Sequence, residues 1–290
     1  MITCQLKGGF GNQLFQIFAI IAYSLDNKFP FKFFYSEKVP SITPRSSYWD
    51  SFLKSLKFFT IRELPSHLKI LQHPTFEYKD IPIVEGKSQN ICIDGYFQSH
   101  KYFEHRKDDI FRLIQLTAQK KKFLATHNIG NMDNTISMHF RLGDYKHLSH
   151  THPIMNVRYY INALTTILSK VSCQNFNVIY FCESEDNDHV TSHYINQITQ
   201  VFPLLTFTKA SDDMADWEQV LYMSQCTHNI IANSSFSWFG AFFNTIHDTK
   251  KKNKKYQHIV CYPSVWFVGQ AAESNNTKDM FPEPWKKIEF

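Results

Sequence analysis

Strand-length apolar bursts alternate with helical stripes along this chain, and that alternation limits the possible folds more than any other feature. The bursts are Ile2–Leu6, Phe31–Tyr35, Ile91–Ile93, Ile136–Phe140, Val178–Cys182, Leu204–Phe207, Asn229–Ala232 and Ile259–Tyr262. Between them, Leu14, Phe15, Phe18, Ile21, Ala22 and Leu25 recur at helical spacing. So do Tyr160, Ala163, Leu164, Ile167 and Leu168, and then Trp217, Val220, Leu221 and Ser224. Strands alternating with helices build parallel α/β units. The polar stretch His127–Asn134 separates a charged helical segment from a new strand and predicts a domain boundary at 130/131. Two α/β domains, 1–130 and 131–290, are expected to face each other across a cleft. Ligands would lie at the C-terminal ends of the strands, where open parallel sheets bind them.

Composition narrows the functional classes. With 290 residues, 43% hydrophobic and 27 of them Phe, the chain has ample core material and is not disordered. A formal charge of +5, with no basic tract longer than Lys250–Lys255, fits an enzyme handling anionic ligands better than a nucleic-acid binder. That lysine tract reads as a solvated loop, with attraction to an anionic membrane surface as the alternative. Fourteen His make the chain more cationic below about pH 6.5. The six Cys form no C-x-x-C pair and read as buried reduced thiols. Leu14–Leu25, the longest apolar segment, is too short to span a bilayer, and no signal peptide is visible, so a cytoplasmic enzyme is expected. The sequons at Asn233 and Asn275 read as chance matches.

Four segments carry chemistry. Lys7-Gly8-Gly9-Phe10-Gly11-Asn12-Gln13 lies between the first strand and the first helix, where glycines let backbone N–H groups approach a phosphate and the helix dipole favours it. A plain capped turn, with Asn12 as the cap, fits the same residues. In Ser137–Tyr145 a strand delivers His139 and Arg141 to one face before Gly143 and Asp144. Arg141 suits bidentate recognition of a phosphate or a structural pair with Asp144. Asn233-Ser234-Ser235-Phe236 opens a helix after a buried strand, which is an anion site or ordinary capping. Val178–Asp188 ends a strand in carboxylates. A divalent-cation site at Asp186-Asn187-Asp188, a carboxylate accepting from guanine N1 and N2, and a charged helix start all fit it.

Taken together these segments resemble glycosyltransferase family eleven, the α-1,2-fucosyltransferases. Gly8–Gln16 resembles the family's opening, and Gly95-Tyr96-Phe97-Gln98-Ser99-His100-Lys101-Tyr102-Phe103 resembles its mid-chain aromatic motif, with His100 where Glu is common. His139-Phe140-Arg141-Leu142-Gly143-Asp144-Tyr145 is similar to the H-x-R-x-G-D-Y motif, with Leu142 where a second Arg is frequent. Asp216–Trp238 and Tyr262–Trp285 match later motifs in order, while Cys182-Glu183-Ser184-Glu185 stands where Ser-Asp-Asp is usual.

The resemblance implies two Rossmann-like domains of the GT-B type, the first on the acceptor side and the second binding GDP-fucose. It implies transfer of L-fucose, with inversion, to the 2-hydroxyl of a terminal β-galactoside, with no metal or other cofactor. Donor contacts are then expected from Gly9, Gly11, Asn12, Arg141, Glu183, Asn233, Ser234, Ser235 and Phe236, and acceptor contacts from Tyr96, Gln98 and Tyr145. Arg141 would steady the leaving diphosphate, and Asp144 and His139 are the local candidates for the base. Tyr96, Phe97, Tyr102 and Phe103 form a sugar platform or pack as core. An O-peptide or α-1,6 fucosyltransferase, and a metal-dependent GT-A enzyme using Asp186 and Asp188, are the rival activities.

Overall fold

A computed structural model describes residues 1–39, 45–84, 89–244 and 258–290. The Lys250–Lys255 tract lies outside the described residues. The chain divides into two compact units, Met1–Lys122 with Ser274–Pro282, and Phe123–Glu273 with Glu283–Phe290. The division falls within the helix Leu116–Thr126, ahead of the polar turn at His127–Asn134, and the C-terminal segment is shared between the units.

In the first unit, Ile2–Thr3 pairs in parallel with Asn90–Asp94, which pairs with Leu68–Gln72. On the other side of Ile2 a single bridge reaches Phe31, leading into the parallel pair Phe33–Phe34 and Thr60–Ile61. The strand order therefore reverses beside the first strand. The helix Phe10–Asn27 carries more than the expected stripe: Ile17, Ala19 and Ile20 lie between the stripe positions and are as buried as Leu14 and Phe18. Apolar residues on every side leave this helix no solvent face. Lys28 ends it in the left-handed region (φ 55°), its N–H returning to the Ser24 carbonyl.

The second unit is built on six parallel strands in the spatial order Thr206–Lys209, Asn177–Phe181, Thr135–His139, His228–Ile230, Val260–Pro263 and Lys286–Ile288. Numbered along the chain this is 3-2-1-4-5-6, the doubly wound order of nucleotide-binding sheets. Ile136, Met138 and Phe140 alternate onto one face, where Tyr159, Tyr160 and Leu164 of the helix Val157–Leu168 cover them. Asn156 caps that helix, its side chain accepting from Tyr159 N at 3.2 Å. Ser137, His139 and Arg141 fall on the opposite face by the two-residue period of a strand.

That opposite face holds a buried polar knot. Asn229 is fully buried; its amide donates to Ser137 Oγ at 2.6 Å and the Met223 carbonyl at 2.8 Å, and its oxygen accepts from Asn244 at 3.1 Å. Each bond offsets the desolvation of a polar group beneath the sheet. All six cysteines are free and five are buried, as the apolar runs predicted. No helix among the described residues is long and apolar enough to cross a membrane.

Candidate functional site

The strand order of the second unit reverses between Thr135–His139 and His228–Ile230. At such a point the loops leaving the two strands go to opposite faces and leave a crevice at the C-terminal edge. His139 ends the first of these strands, and Arg141, Asn233 and Ser234 follow in the two loops. The chemistry-bearing residues thus converge where an open α/β sheet takes a ligand.

Arg141 is the centre. Its Nη2 donates to Asp144 and its Nη1 to Glu183, and the guanidinium lies 5.2 Å above the Tyr145 ring. The Arg141 side chain is 19% exposed, those of Asp144 and Glu183 41% and 43%, so the pairs border solvent. Gly143 makes room for this arrangement. Its φ is +29°, and a Cβ there would sit 2.5 Å from Glu183 Oε2. The Gly143 N–H is held at 2.9 Å by Asp186, a fully buried carboxylate that also binds Lys146. Gly143–His147 forms a 3₁₀ turn that presents Asp144 three residues from Arg141.

His139 is 7% exposed and shares a 2.8 Å hydrogen bond with Ser237 through Nδ1. Burial, with the Arg141 charge beside it, pulls its pKa down to about 3. The imidazole is therefore uncharged at ordinary pH, and its bond to Ser237 ties the strand end to the helix Ser235–Phe242. Phe236 packs its ring 5.4 Å from the His139 ring. Ser234 caps the helix, its hydroxyl accepting from Phe236 N, and Ser235 is half-buried in the first turn. At Asn233, expected to contact the donor, both side-chain amide hydrogens are spent on the Pro153 and Trp266 carbonyls, at 2.9 and 3.2 Å, so the side chain fixes the loop. Tyr145, expected at the acceptor, donates its hydroxyl to the Asn233 carbonyl at 3.0 Å, and burial pushes its pKa up to about 12. Its ring serves as the floor beneath Arg141.

The carboxylate burst after Asn177–Phe181 is divided in its duties. Glu183, Glu185 and Asp186 bring oxygens within 4.8 Å of one another, while Asp188 is exposed and outside that group. Glu183 is engaged by Arg141 and Asp186 by Lys146 and Gly143, so two of the three are already matched by donors. The Asp186-Asn187-Asp188 reading of a cation site has no support in this donor set.

In the first unit the Gly-rich turn also leaves the strand beside which the order reverses. Gly8 has φ +77°, and a Cβ there would meet Asn12 Nδ2 at 2.5 Å. Gly9 precedes the helix with open space around it, and Gly11 is buried in the first helical turn. Two buried glutamines hold the turn. Gln16 donates to Lys7 O and accepts from Lys7 N, both at 2.9 Å, and Gln13 donates to Gly8 O at 3.0 Å. Asn12 Oδ1 accepts from Gln98 at 2.9 Å, tying the turn to the mid-chain aromatic motif. Of the four rings in that motif Phe97, Tyr102 and Phe103 are core, and Tyr96 is exposed, at 41%. A sugar platform of four rings is thereby reduced to Tyr96. Phe97 adopts φ +52°, an uncommon conformation for a bulky residue, held by the His73 and Tyr102 rings at 5.3 and 5.4 Å.

Sequence reasoning gave no part to the side chains of Ser237, Gln13 and Gln16, and it read Asp186 as a cation ligand and not as the partner of Lys146 and the Gly143 N–H. Ser237 could be found from its i+3 spacing behind the Ser234 cap, and the glutamines from their place inside an otherwise apolar helix.

Residues 1–258 match the sequence model of the family described as Glycosyl transferase family 11. The chain belongs to glycosyltransferase family 11. Within the wider set of known proteins it is 29% identical over 202 residues to an alpha-1,2-colitosyltransferase of Escherichia coli, a match covering 67% of this chain and 61% of that protein. It is 28% identical to the O-antigen biosynthesis glycosyltransferase WbnK of Escherichia coli, covering 67% and 59%. The match thus spans about three fifths of the length of these relatives. A crystal structure of POFUT1 in complex with GDP aligns over 90% of this chain and 97% of its own, with 12% identity and a TM-score of 0.41.

Proposed function

We propose that this family 11 member is an inverting α-1,2-fucosyltransferase that moves L-fucose from GDP-fucose to the 2-hydroxyl of a terminal β-galactoside. The observation that carries the reading is Arg141 at the reversal point of a 3-2-1-4-5-6 parallel sheet, braced from below by Tyr145 and flanked by the capped helix at Ser234. The 1,2 linkage is supported by family membership and by the name of the colitosyltransferase relative.

As the acceptor oxygen bonds to the anomeric carbon, the bond from that carbon to the β-phosphate oxygen breaks. Its electron pair leaves on GDP, and negative charge grows on the phosphate. Arg141, with the N–H groups of the Ser235–Phe242 helix start, stabilises that charge where it grows. The hydroxyl proton passes to a base at the acceptor, for which Asp144, whose carboxylate borders solvent, is the local candidate. Reaction needs no metal in this scheme, since Arg141 supplies the positive charge.

Incubation with GDP-fucose and a panel of β-galactosides, with linkage read by NMR, tests the reading in the presence and absence of EDTA. A new Fucα1,2Gal signal at equal rates with chelator is expected. Transfer to a different hydroxyl, or turnover lost with EDTA, refutes it. The relative's name favours one second reading, a colitosyl donor, and running that donor in parallel separates the two.

A further inference from the structure

Seven Lys and Arg and only two carboxylates fall within residues 28–62, a net charge of +5 that equals the charge of the whole chain. The structure gathers part of that charge around exposed aromatic rings at one edge of the first unit. Phe34 is 41% exposed on the outer side of the parallel pair Phe33–Phe34 and Thr60–Ile61, while its neighbour Phe33 is fully buried. The turn Lys54–Phe59 leads into the edge strand and leaves Phe58 82% exposed, more than any other large apolar side chain among the described residues. Lys32 Nζ lies 5.0 Å over the Phe58 ring and donates to the Phe58 carbonyl at 3.0 Å. Lys57 and Arg62 lie 5.2 and 5.6 Å from the Tyr35 ring. One of the two carboxylates, Asp50, is bound by Lys57 and by the Tyr35 hydroxyl.

We infer that this patch docks the enzyme on an anionic lipid bilayer. Phe carries no polar atom, so an exposed Phe58 gains by entering the zone between headgroups and acyl chains. The flexible stems of Lys32 and Lys54 let their ammonium groups stay among the phosphates while the rings sink. Tyr35, apolar in body and polar at its tip, suits the interface itself. A nucleic acid would instead need flat ring faces for base stacking, and here Lys57 and Arg62 lie over the Tyr35 ring. Nothing in this inference depends on the sugar transferred, and none of these residues belongs to the candidate site.

The test is co-sedimentation of the full chain with phosphatidylcholine vesicles, with and without phosphatidylglycerol. Binding is expected only with the anionic lipid and should weaken with salt. Each cation neutralised, Lys32→Gln or Lys54→Gln, should lower partitioning about fivefold, and the double substitution about 25-fold. Phe58→Ser should remove the part of the binding that survives salt. Thermal unfolding of each variant, expected to match the unaltered chain, guards against trivial loss of fold. Equal binding to neutral and anionic vesicles, indifference to all three substitutions, or retention of RNA in place of vesicles overturns the inference.

Discussion

The sharpest consequence of the Arg141 geometry concerns a residue that opposes ligand binding. In the ligand-free protein the guanidinium is shared between Asp144 and Glu183, one cation facing two anions. A diphosphate approaching Arg141 must displace or tolerate Glu183, whereas Asp144 can stay behind to orient the fork. Replacing Glu183 by Gln keeps the shape and removes the charge. The worth of the change follows from exposure. With the carboxylate 43% exposed and Arg141 19%, the pair is close to a surface bridge, about 1 kcal/mol at most after solvent screening. About 1 kcal/mol is roughly fivefold in affinity. Calorimetry with inorganic pyrophosphate should therefore find Glu183→Gln binding about fivefold tighter at low salt, with the gain shrinking as salt rises. Arg141→Ala should lose pyrophosphate altogether. Titration with GDP then isolates the nucleobase: if Glu183 also accepts from guanine N1 and N2, the gain seen with pyrophosphate will shrink or invert with GDP. Weaker pyrophosphate binding by Glu183→Gln refutes the idea that Glu183 competes for Arg141. Unchanged binding by Arg141→Ala refutes the diphosphate site itself.

Three further outcomes follow from the same residues. Arg141→Ala should lower turnover about 100- to 1000-fold in a progress-curve assay with little change in thermal stability, and Arg141→Lys should recover little because a point charge cannot reproduce the fork. Because burial depresses the pKa of His139 from 6.5 to about 3, the unfolded chain binds its proton more readily across that interval. Stability from this group is complete above pH 6.5 and lost as pH falls toward 3, with a slope of at most about 1.4 kcal/mol per pH unit. Urea midpoints measured over that range should flatten in His139→Gln. Gly143→Ala forces a side chain onto φ +29° and places a Cβ 2.5 Å from the Glu183 carboxylate, the flexible partner. The substitution should cost about 1 kcal/mol of stability and, by pushing Glu183 off Arg141, tighten pyrophosphate as Glu183→Gln does.

The layered architecture was legible because its cause is local. A strand buried on both faces reads as a continuous apolar run, and all eight bursts lie on or beside observed parallel strands or bridges. Short and edge strands escaped, two of them in the main parallel sheets. Leu68–Gln72 is an edge strand with Lys69 and Ile70 exposed, and Lys286–Ile288 is charged and short, so neither carries the apolar signature. The helix at Phe10 was legible as a helix but not as a fully enclosed one, since a stripe counted at 3.6 spacing ignores what fills the gaps.

Which groups touch at the site is a different kind of information. Nothing in the spacing of Arg141 and Glu183 says that they meet across 42 residues. The contact exists because two adjacent strands, Thr135–His139 and Asn177–Phe181, end level with each other in parallel register, His139 opposite Phe181. Each chain then runs on two residues, to Arg141 and to Glu183, before turning. In a parallel sheet such equal overruns bring the two side chains to the same height above the edge. What lets them close is a missing atom, the Cβ of Gly143. The glycine of the H-x-R-x-G-D-Y motif thus has a steric purpose that no inspection of charge or hydropathy reveals. His139 gives the converse lesson: a polar residue two positions before an arginine invites a catalytic role, and the structure buries it against Ser237 with its pKa drawn down. Sequence supplies the residues able to do chemistry. Register decides which of them act on the ligand and which hold the others in place.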